Sequence, residues 1–351
     1  MAASAEIRQW LLGQIAAKMD SDLVARATQT FGITRQAVAR HLRKLMNEQV
    51  IVAQGHTKAR RYKLALVRSY SQVYSLGSDF QEDVVWSQDL RPLLTALPEN
   101  ILAICEYGVT EMLNNAKDHS AAQQVAVSLE LTVAELNLTV SDGGVGIFRK
   151  IKDACGLEDE RHAILELVKG RLTTDPEHHT GEGIFFTSRV FDQFLILSGS
   201  LSLVHNREGA DWLIDDAKPI AGTYVILRIQ PTSTHTVQEV FNRYATEQDD
   251  YAFRQTHLHV ALAQTDGASL ISRSQAKRVM ARCDRFREVV LDFRGVESIG
   301  PAFADEIFRV WRRAHLQVTL TPTRMNDVVE RMVRRALAAE SPDTPSAPSE
   351  G

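Results

Sequence analysis

The sequence predicts a multidomain protein of mixed α+β structure. The chain has 351 residues, more than one hydrophobic core usually organises, so we expect two or three domains. Helix-like and strand-like patterns alternate in separate segments, and the composition changes at a polar stretch after Pro231. Residues 1–70 carry 12 Lys or Arg and 4 Asp or Glu, a net charge of +8, whereas the whole chain carries −4. The rest therefore carries −12, which indicates an anionic partner for the first part only.

The basic first module, residues 1–70, is predicted to contain three helices at 5–18, 22–31 and 34–48. A two-stranded ribbon with its tip at residues 55–58 follows them. Thr34 is the predicted N-cap of the third helix, since its hydroxyl can accept a hydrogen bond from the first turn. In that helix the apolar side chains lie on one side and the cationic side chains lie mostly on the other.

This layout resembles a winged helix-turn-helix, which implies binding of double-stranded DNA. The resemblance places four residues in the major groove and three on phosphates. The groove residues would be Arg35, Gln36, Arg40 and Lys44, and the phosphate contacts would come from Lys58, Arg60 and Arg61. The residues alone equally describe a small helical domain for protein contacts or dimerisation, with solvated charges.

A connector at 71–95 leads to a helix predicted at 99–117, whose apolar residues recur at spacings of three and four. Glu111 and Asn115 are four residues apart and project together from the adjoining face, which Asp118 and His119 continue. Buried polar groups are costly unless they are satisfied, so such a row beside a core faces water or a ligand. The alternative is a solvated face with a chance Glu–Asn pair.

Two glycine-rich segments follow this helix. Strands at 125–131 and 136–140 end in "SDGGVG", where Asp142 can accept a hydrogen bond from an exocyclic amine and the glycines let backbone approach a flat ring. Further on, "TGEGI" places Gly181 and Gly183 at the start of a helix, where free N–H groups bind phosphate.

The ordered series E-x-x-x-N-A, D-x-G-x-G and G-x-G resembles the GHKL ATPases, of the gyrase, chaperone, histidine-kinase and mismatch-repair types, over residues 85–231. The resemblance implies an α/β sandwich at 96–231 that binds ATP and Mg²⁺. Glu111 would be the general base, Asn115 would hold Mg²⁺, and residues 148–180 would form a lid. The remaining implied nucleotide contacts are Asp118, His119, Asp142, Gly144, Gly146, Gly181, Gly183 and Thr223. No upstream helix presents a phospho-acceptor histidine, so histidine autophosphorylation is not expected.

The last module, residues 250–338, reads as helix 272–286, strand 288–293, helix 301–314, strand 316–320 and helix 326–338. This layout resembles STAS-like domains, the fold of anti-sigma-factor antagonists. The resemblance implies a surface for a protein partner or self-association, and a phosphorylation site at Ser298 between strand and helix. Ser298 equally fits a turn or helix-capping serine. The Pro- and Ser-rich tail, residues 339–351, is expected to be disordered.

Together these features predict a cytoplasmic regulator in which ATP binding or hydrolysis changes DNA binding. Two alternatives stay open: a serine protein kinase of the anti-sigma-factor type acting on a STAS-like domain, and a scaffold that binds nucleotide without hydrolysing it. No apolar stretch reaches the length of a membrane span and no signal-peptide pattern is present, so we expect no membrane partner. Three widely separated cysteines fit a reducing compartment.

Overall fold

The computed structural model describes residues 2–16, 22–55, 60–170, 182–207, 211–214, 218–244, 255–264 and 269–338. The chain divides into two compact units. The first comprises residues 1–143, 191–194 and 224–236, and the second comprises 144–190, 195–223 and 237–351.

The N-terminal part of the first unit contains three helices and a hairpin. The helices are α1 Ala2–Ala16, α2 Leu23–Phe31 and α3 Arg35–Asn47, and the antiparallel strands are β1 Ile51–Gln54 and β2 Arg61–Leu64. Thr34 caps α3 as predicted, because its side chain accepts from the Ala37 amide at 3.2 Å. The three predicted helices and the ribbon are therefore confirmed, although residues 56–59 lie outside the described part.

A separate hydrophobic core holds these elements together. One side of each helix faces this core, and the start of the ribbon closes it. The buried side chains are Ile7, Leu11, Ile15, Leu23, Ala27, Val38, Leu42, Leu45, Val50 and Ile51. Their burial leaves the cationic face of α3 in water, as its apolar spacing predicts.

A strand occupies the start of the predicted connector. β3, Arg68–Ser75, pairs antiparallel with β4, Gln124–Leu131, over its full length. Its side chains are mostly exposed, so "RSYSQVYS" shows none of the apolar alternation that marks a half-buried strand. The prediction of a connector at 71–95 is thus corrected for its first residues. The rest is helical, with α4 Glu82–Val84, a π-helical turn Val85–Leu90 and a 3₁₀ turn Arg91–Leu93.

The long helix α5, Glu99–His119, packs against β5, Leu136–Asp142. Helix and strand were both predicted. After β5 come the helices α6 Ile147–Cys155, α7 Glu160–Lys169 and α8 Gly183–Val190. The next strands are β6 Gln193–Gly199, β7 Leu201–Asn206, β8 Trp212–Ile214 and β9 Ile220–Ile229. Seven strands form one sheet in the order β3-β4-β5-β9-β6-β7-β8.

The C-terminal part of the second unit is a small α/β layer. Its parallel three-stranded sheet has the order β10-β11-β12, from Gln255–His259, Glu288–Asp292 and Thr319–Thr323. Parallel neighbours require crossover connections, which the intervening helices provide. The helices are α9 Val237–Tyr244 before the sheet, α10 Arg273–Met280, α11 Pro301–Asp305 and α12 Arg312–Ala314 with a π-helical turn Glu306–Trp311 between them, and α13 Asp327–Ala338.

Two predicted elements differ from the observed ones in this part, and two observed elements were not predicted. The helix expected at 272–286 ends at Met280, because Ala281 has an extended ψ of 132° and Arg282 has a left-handed backbone with φ of 58°. The strand expected at 316–320 is shifted to 319–323. β10 and α9 were not predicted, and the tail 339–351 lies outside the described residues. In the described part of the chain, no helix is long and apolar enough to cross a membrane.

Candidate functional site

The polar face of α5 lies at the edge of the core. Glu111 and Asn115 are half-buried, one helical turn apart, next to a stripe of fully buried apolar residues. The helix packs on β5, whose last residue is the half-buried Asp142. Asp118 is exposed and His119 half-buried at the end of the helix. Two half-buried carboxylates, Glu111 and Asp142, and one carboxamide, Asn115, are therefore carried by two packed elements of the first unit.

The Asn115 amide contains an unsatisfied polar atom. Its Nδ2 is buried and has no hydrogen-bond partner among the described residues. Such a donor costs about 1–3 kcal/mol of desolvation, and most buried polar groups in native proteins avoid this cost. A small rotation of this half-buried side chain toward a ligand would satisfy the donor. The residue is thus a candidate ligand contact rather than a solvated helix residue.

A glycine turn starts α6 in the second unit. Gly146 has φ of +82°, and a Cβ there would lie 2.6 Å from Ser198 Oγ and 3.3 Å from the Gly222 carbonyl oxygen. Ser198 Oγ donates to that carbonyl at 2.8 Å, and Thr223 Oγ1 accepts from the Ile147 amide at 3.1 Å. Only glycine fits this backbone and this approach. Thr223 therefore holds the glycine turn through the backbone.

The structure distributes the predicted nucleotide residues over both units. The first unit contains Glu111, Asn115, Asp118, His119 and Asp142, and the second contains Gly144, Gly146, Gly183 and Thr223. Gly183 is the first residue of α8, as predicted. Gly181 and residues 171–180 of the predicted lid lie outside the described residues. Sequence reasoning missed Ser198, because one serine in a strand carries no pattern.

The predicted DNA face is exposed. All four groove residues on α3, Arg35, Gln36, Arg40 and Lys44, are exposed, as are Arg60 and Arg61 on the ribbon. The Arg60 guanidinium lies 5.7 Å from the centroid of the Tyr62 ring. Lys44 Nζ is 4.0 Å from Glu48 Oε1, a loose exposed pair. Lys58 lies outside the described residues.

Ser298 lies in the loop between β11 and α11 and is half-buried. The N-cap of α11 is Gly300, so Ser298 does not cap this helix. Asn326 Nδ2 fixes the loop by donating to the carbonyls of Val296 and Glu297, both at 3.0 Å. The position is compatible with a modified serine and with an ordinary turn serine.

Sequence reasoning missed a buried cluster of charged and histidine side chains in the second unit. Arg189 and Asp211 both contact His205, and Arg189 Nη1 is 3.7 Å from Asp211 Oδ1. Burial and the nearby Arg189 together lower the pKa of the His205 imidazole to about 4, against the opposing effect of Asp211. For Asp211, burial raises the pKa, but Arg189 and His205 outweigh burial and hold that pKa well below its usual range.

Residues 275–330 match the model of a family described as a STAS-like domain of unknown function (DUF4325). The matched segment runs from α10 into α13 and contains both Asp292 and Ser298. The predicted STAS-like domain near the C-terminal end is confirmed for these residues. No curated protein matches the chain.

Proposed function

We propose that residues 85–231 bind ATP with Mg²⁺ in the manner of the GHKL ATPases, and that the nucleotide state controls binding of double-stranded DNA by residues 1–70. One observation carries the proposal. Glu111 and Asn115 lie one turn apart on the half-buried face of α5, and this helix packs on the strand that ends at Asp142.

The side chains fit a magnesium–nucleotide ligand. Mg²⁺ takes oxygen ligands and keeps several waters, so one amide oxygen is a sufficient protein contact. Asn115 would supply that oxygen, and its unpartnered Nδ2 donor suits a phosphate oxygen. When bound, the ion would supply positive charge beside the phosphates. Glu111 would orient a water and accept its proton, since positioning contributes most of the catalysis in phosphoryl transfer.

The base-binding residues fit the same ligand. A carboxylate such as Asp142 accepts a hydrogen bond from an adenine amino group, whereas guanine presents a carbonyl at that ring position. The turn at Gly146 has no side chain, and Thr223 holds it through the Ile147 amide at 3.1 Å. These features support adenine as the base.

ATP turnover tests the catalytic assignment. We expect slow hydrolysis by the wild-type chain and at least a hundredfold loss in Glu111→Gln, with ATP binding retained. Glu106→Gln is the matched control, since Glu106 is an exposed glutamate on the same helix. Equal turnover in Glu111→Gln and Glu106→Gln would contradict the role of Glu111. ATP binding without turnover would instead select the non-hydrolysing scaffold.

DNA binding is tested by titration of a duplex at several salt concentrations. Arg60→Ala and Arg61→Ala should each weaken binding and reduce the slope of log affinity against log salt by about 1 per lost phosphate contact. Arg331→Ala, an exposed arginine on α13, is the control. The affinity must also differ between ATP-bound and nucleotide-free protein, because a ligand shifts an equilibrium only by its differential affinity. Absence of duplex binding would favour a protein-contact module.

A serine protein kinase is the second candidate, favoured by the position of Ser298 within the STAS-like match and away from the helix cap. Incubation with Mg-ATP followed by mass spectrometry should then find one phosphate on Ser298. The phosphate should be absent from Ser298→Ala and from Asn115→Ala. An unmodified chain, with an unmodified partner STAS-like domain, would exclude this activity.

A further inference from the structure

Two histidines and an aspartate converge on the sheet of the C-terminal layer. His257 and His259 are two residues apart on β10, so their side chains lie on the same face of the sheet. The register pairs His259 with Asp292 on β11. Asp292 Oδ2 lies 3.2 Å from His259 Nδ1 and 4.0 Å from His257 Nε2. All three candidate ligand atoms lie within 4.8 Å of one another.

We propose that His257, His259 and Asp292 bind one divalent transition-metal ion of the Zn²⁺ type, with a fourth position open to solvent. Zn²⁺ bound at about 2.0–2.1 Å in tetrahedral geometry separates its ligand atoms by about 3.3 Å. The His259–Asp292 separation already matches this value. His257 Nε2, at 4.0 Å from Asp292 Oδ2, must move closer, and its side chain is 29% exposed, so it has room to move and offers a path from water.

Two buried atoms in this cluster have no hydrogen-bond partner among the described residues. They are His259 Nδ1, which faces the proposed ion, and Asp211 Oδ2, which lies 3.8 Å from His259 Nε2. Metal-bound histidines commonly donate their second ring N–H to a carboxylate. Asp211 would accept that proton once the two atoms approach to hydrogen-bond distance, and Arg189 and His205 hold its carboxylate beside His259. The arrangement provides a metal ligand and the carboxylate that orients it.

The third ligand, Asp292, is held in place by the backbone. Asp292 is fully buried, and its Oδ1 accepts from the Arg294 amide at 2.9 Å, which fixes the carboxylate.

One cation competes for the same oxygen. Arg324 Nη1 lies 2.8 Å from Asp292 Oδ2, and the Arg324 side chain is 52% exposed. A metal ion would displace this half-exposed guanidinium into water and would itself balance the charge of the buried Asp292 carboxylate. Arg324→Ala should therefore tighten metal binding. If the cluster were only a structural charge network, Arg324→Ala would not tighten metal binding.

The test is a Zn²⁺ titration of the full-length, tag-free chain after chelator treatment, in competition with a chromophoric chelator. We expect one equivalent per chain, with His257→Asn and His259→Asn each weakening binding at least tenfold. Asp211→Asn, which removes the orienting carboxylate, should weaken it about 10- to 100-fold. His162→Asn is the control, since His162 is a half-buried histidine of the same unit whose pKa burial also lowers.

Absorption by bound Co²⁺ provides a second readout of the same site. Bound Co²⁺ should show visible absorption typical of nitrogen coordination, and this absorption should disappear in His257→Asn. His257 is partly exposed, so this variant should fold even where changes at the buried His259 or Asp292 do not. No stoichiometric Zn²⁺ binding by the wild type, or equal binding by wild type and His257→Asn, would overturn the proposal.

Discussion

Replacing Lys169 by methionine removes one half of a buried ion pair in the second unit. The Lys169 residue is 1% exposed, and its Nζ lies 2.7 Å from Glu166 Oε1. The same ammonium donates to the Ala281 carbonyl at 2.7 Å and to the Arg278 carbonyl at 3.3 Å. One side chain thus ties the end of α7 to the end of α10.

The expected cost follows from these contacts. Removing one partner of a buried pair costs about 3–5 kcal/mol, because the other charge stays buried. Methionine keeps the apolar volume, and Arg282 Nη1 remains 3.3 Å from Glu166 Oε2. We therefore expect the lower end, about 3 kcal/mol. Replacing Glu166 by leucine as well should recover part of the loss, since the buried carboxylate is then removed and Arg282, whose side chain is 32% exposed, can be solvated.

Urea titration monitored by hydrogen exchange of the α7 peptide measures this effect locally. Lys277→Met is the matched control: its Nζ is 4.0 Å from Glu306 Oε1 and its side chain is 70% exposed. This pair is loose and its lysine is exposed, so we expect a smaller loss of stability than in Lys169→Met. If Lys169→Met and Lys277→Met lose the same stability to within about 1 kcal/mol, the buried pair does not hold these helices together.

Three further predictions concern the glycine turn, the N-terminal core and acid stability. Gly146→Ala should lower the free energy of unfolding by about 1–3 kcal/mol and weaken ATP binding. Gly143→Ala, with open space around its Cβ, should change neither property. Calorimetric melting and ATP titration measure the two properties, and equal effects in the two variants would refute the steric account. Leu42→Ala should destabilise the N-terminal core by about 2–5 kcal/mol, since Leu42 is 2% exposed; unchanged hydrogen exchange in α3 would contradict this. His205 takes up a proton near pH 6.5 in the unfolded chain but only near pH 4 in the folded chain. The free energy of unfolding should therefore fall by on the order of 3 kcal/mol as the pH drops from about 6.5 toward 4. His205→Gln should flatten that slope in denaturation measured across this range, and an unchanged slope would assign it to other groups.

Local patterns predicted the helices and strands that bury a regular apolar face. α3 and α5 follow the spacing of their apolar residues, and β11 is a short apolar run. β3 failed this criterion because it is a sheet edge with mostly exposed side chains, held by its pairing with β4. Pairing between strands depends on the tertiary structure, so it leaves no periodic pattern of apolar residues in the sequence. The break at Arg282 was equally invisible, since arginine rarely adopts positive φ.

The candidate sites also differ in whether local sequence spacing could predict them. Glu111 and Asn115 could be predicted because helical spacing alone puts them on one face. The fold alone brings together residues that are far apart in the sequence. His259 lies within 4 Å of Asp211 on one side and of Asp292 on the other. The "HLH" alternation in β10 was the available signal. Without a predicted strand at 255–259, it had no structural context.

Equilibrium binding of Mg-ATP to the wild type, Asn115→Ala, Asp142→Asn and the Glu106→Gln control tests the central claim most directly. We expect saturable binding at one site in the wild type and the control. Loss of at least tenfold in affinity is expected in Asn115→Ala and Asp142→Asn, with GTP failing to compete. A wild type that does not bind Mg-ATP, or variants that bind it as tightly as the wild type, would contradict the assignment of α5 and the end of β5 to a nucleotide site.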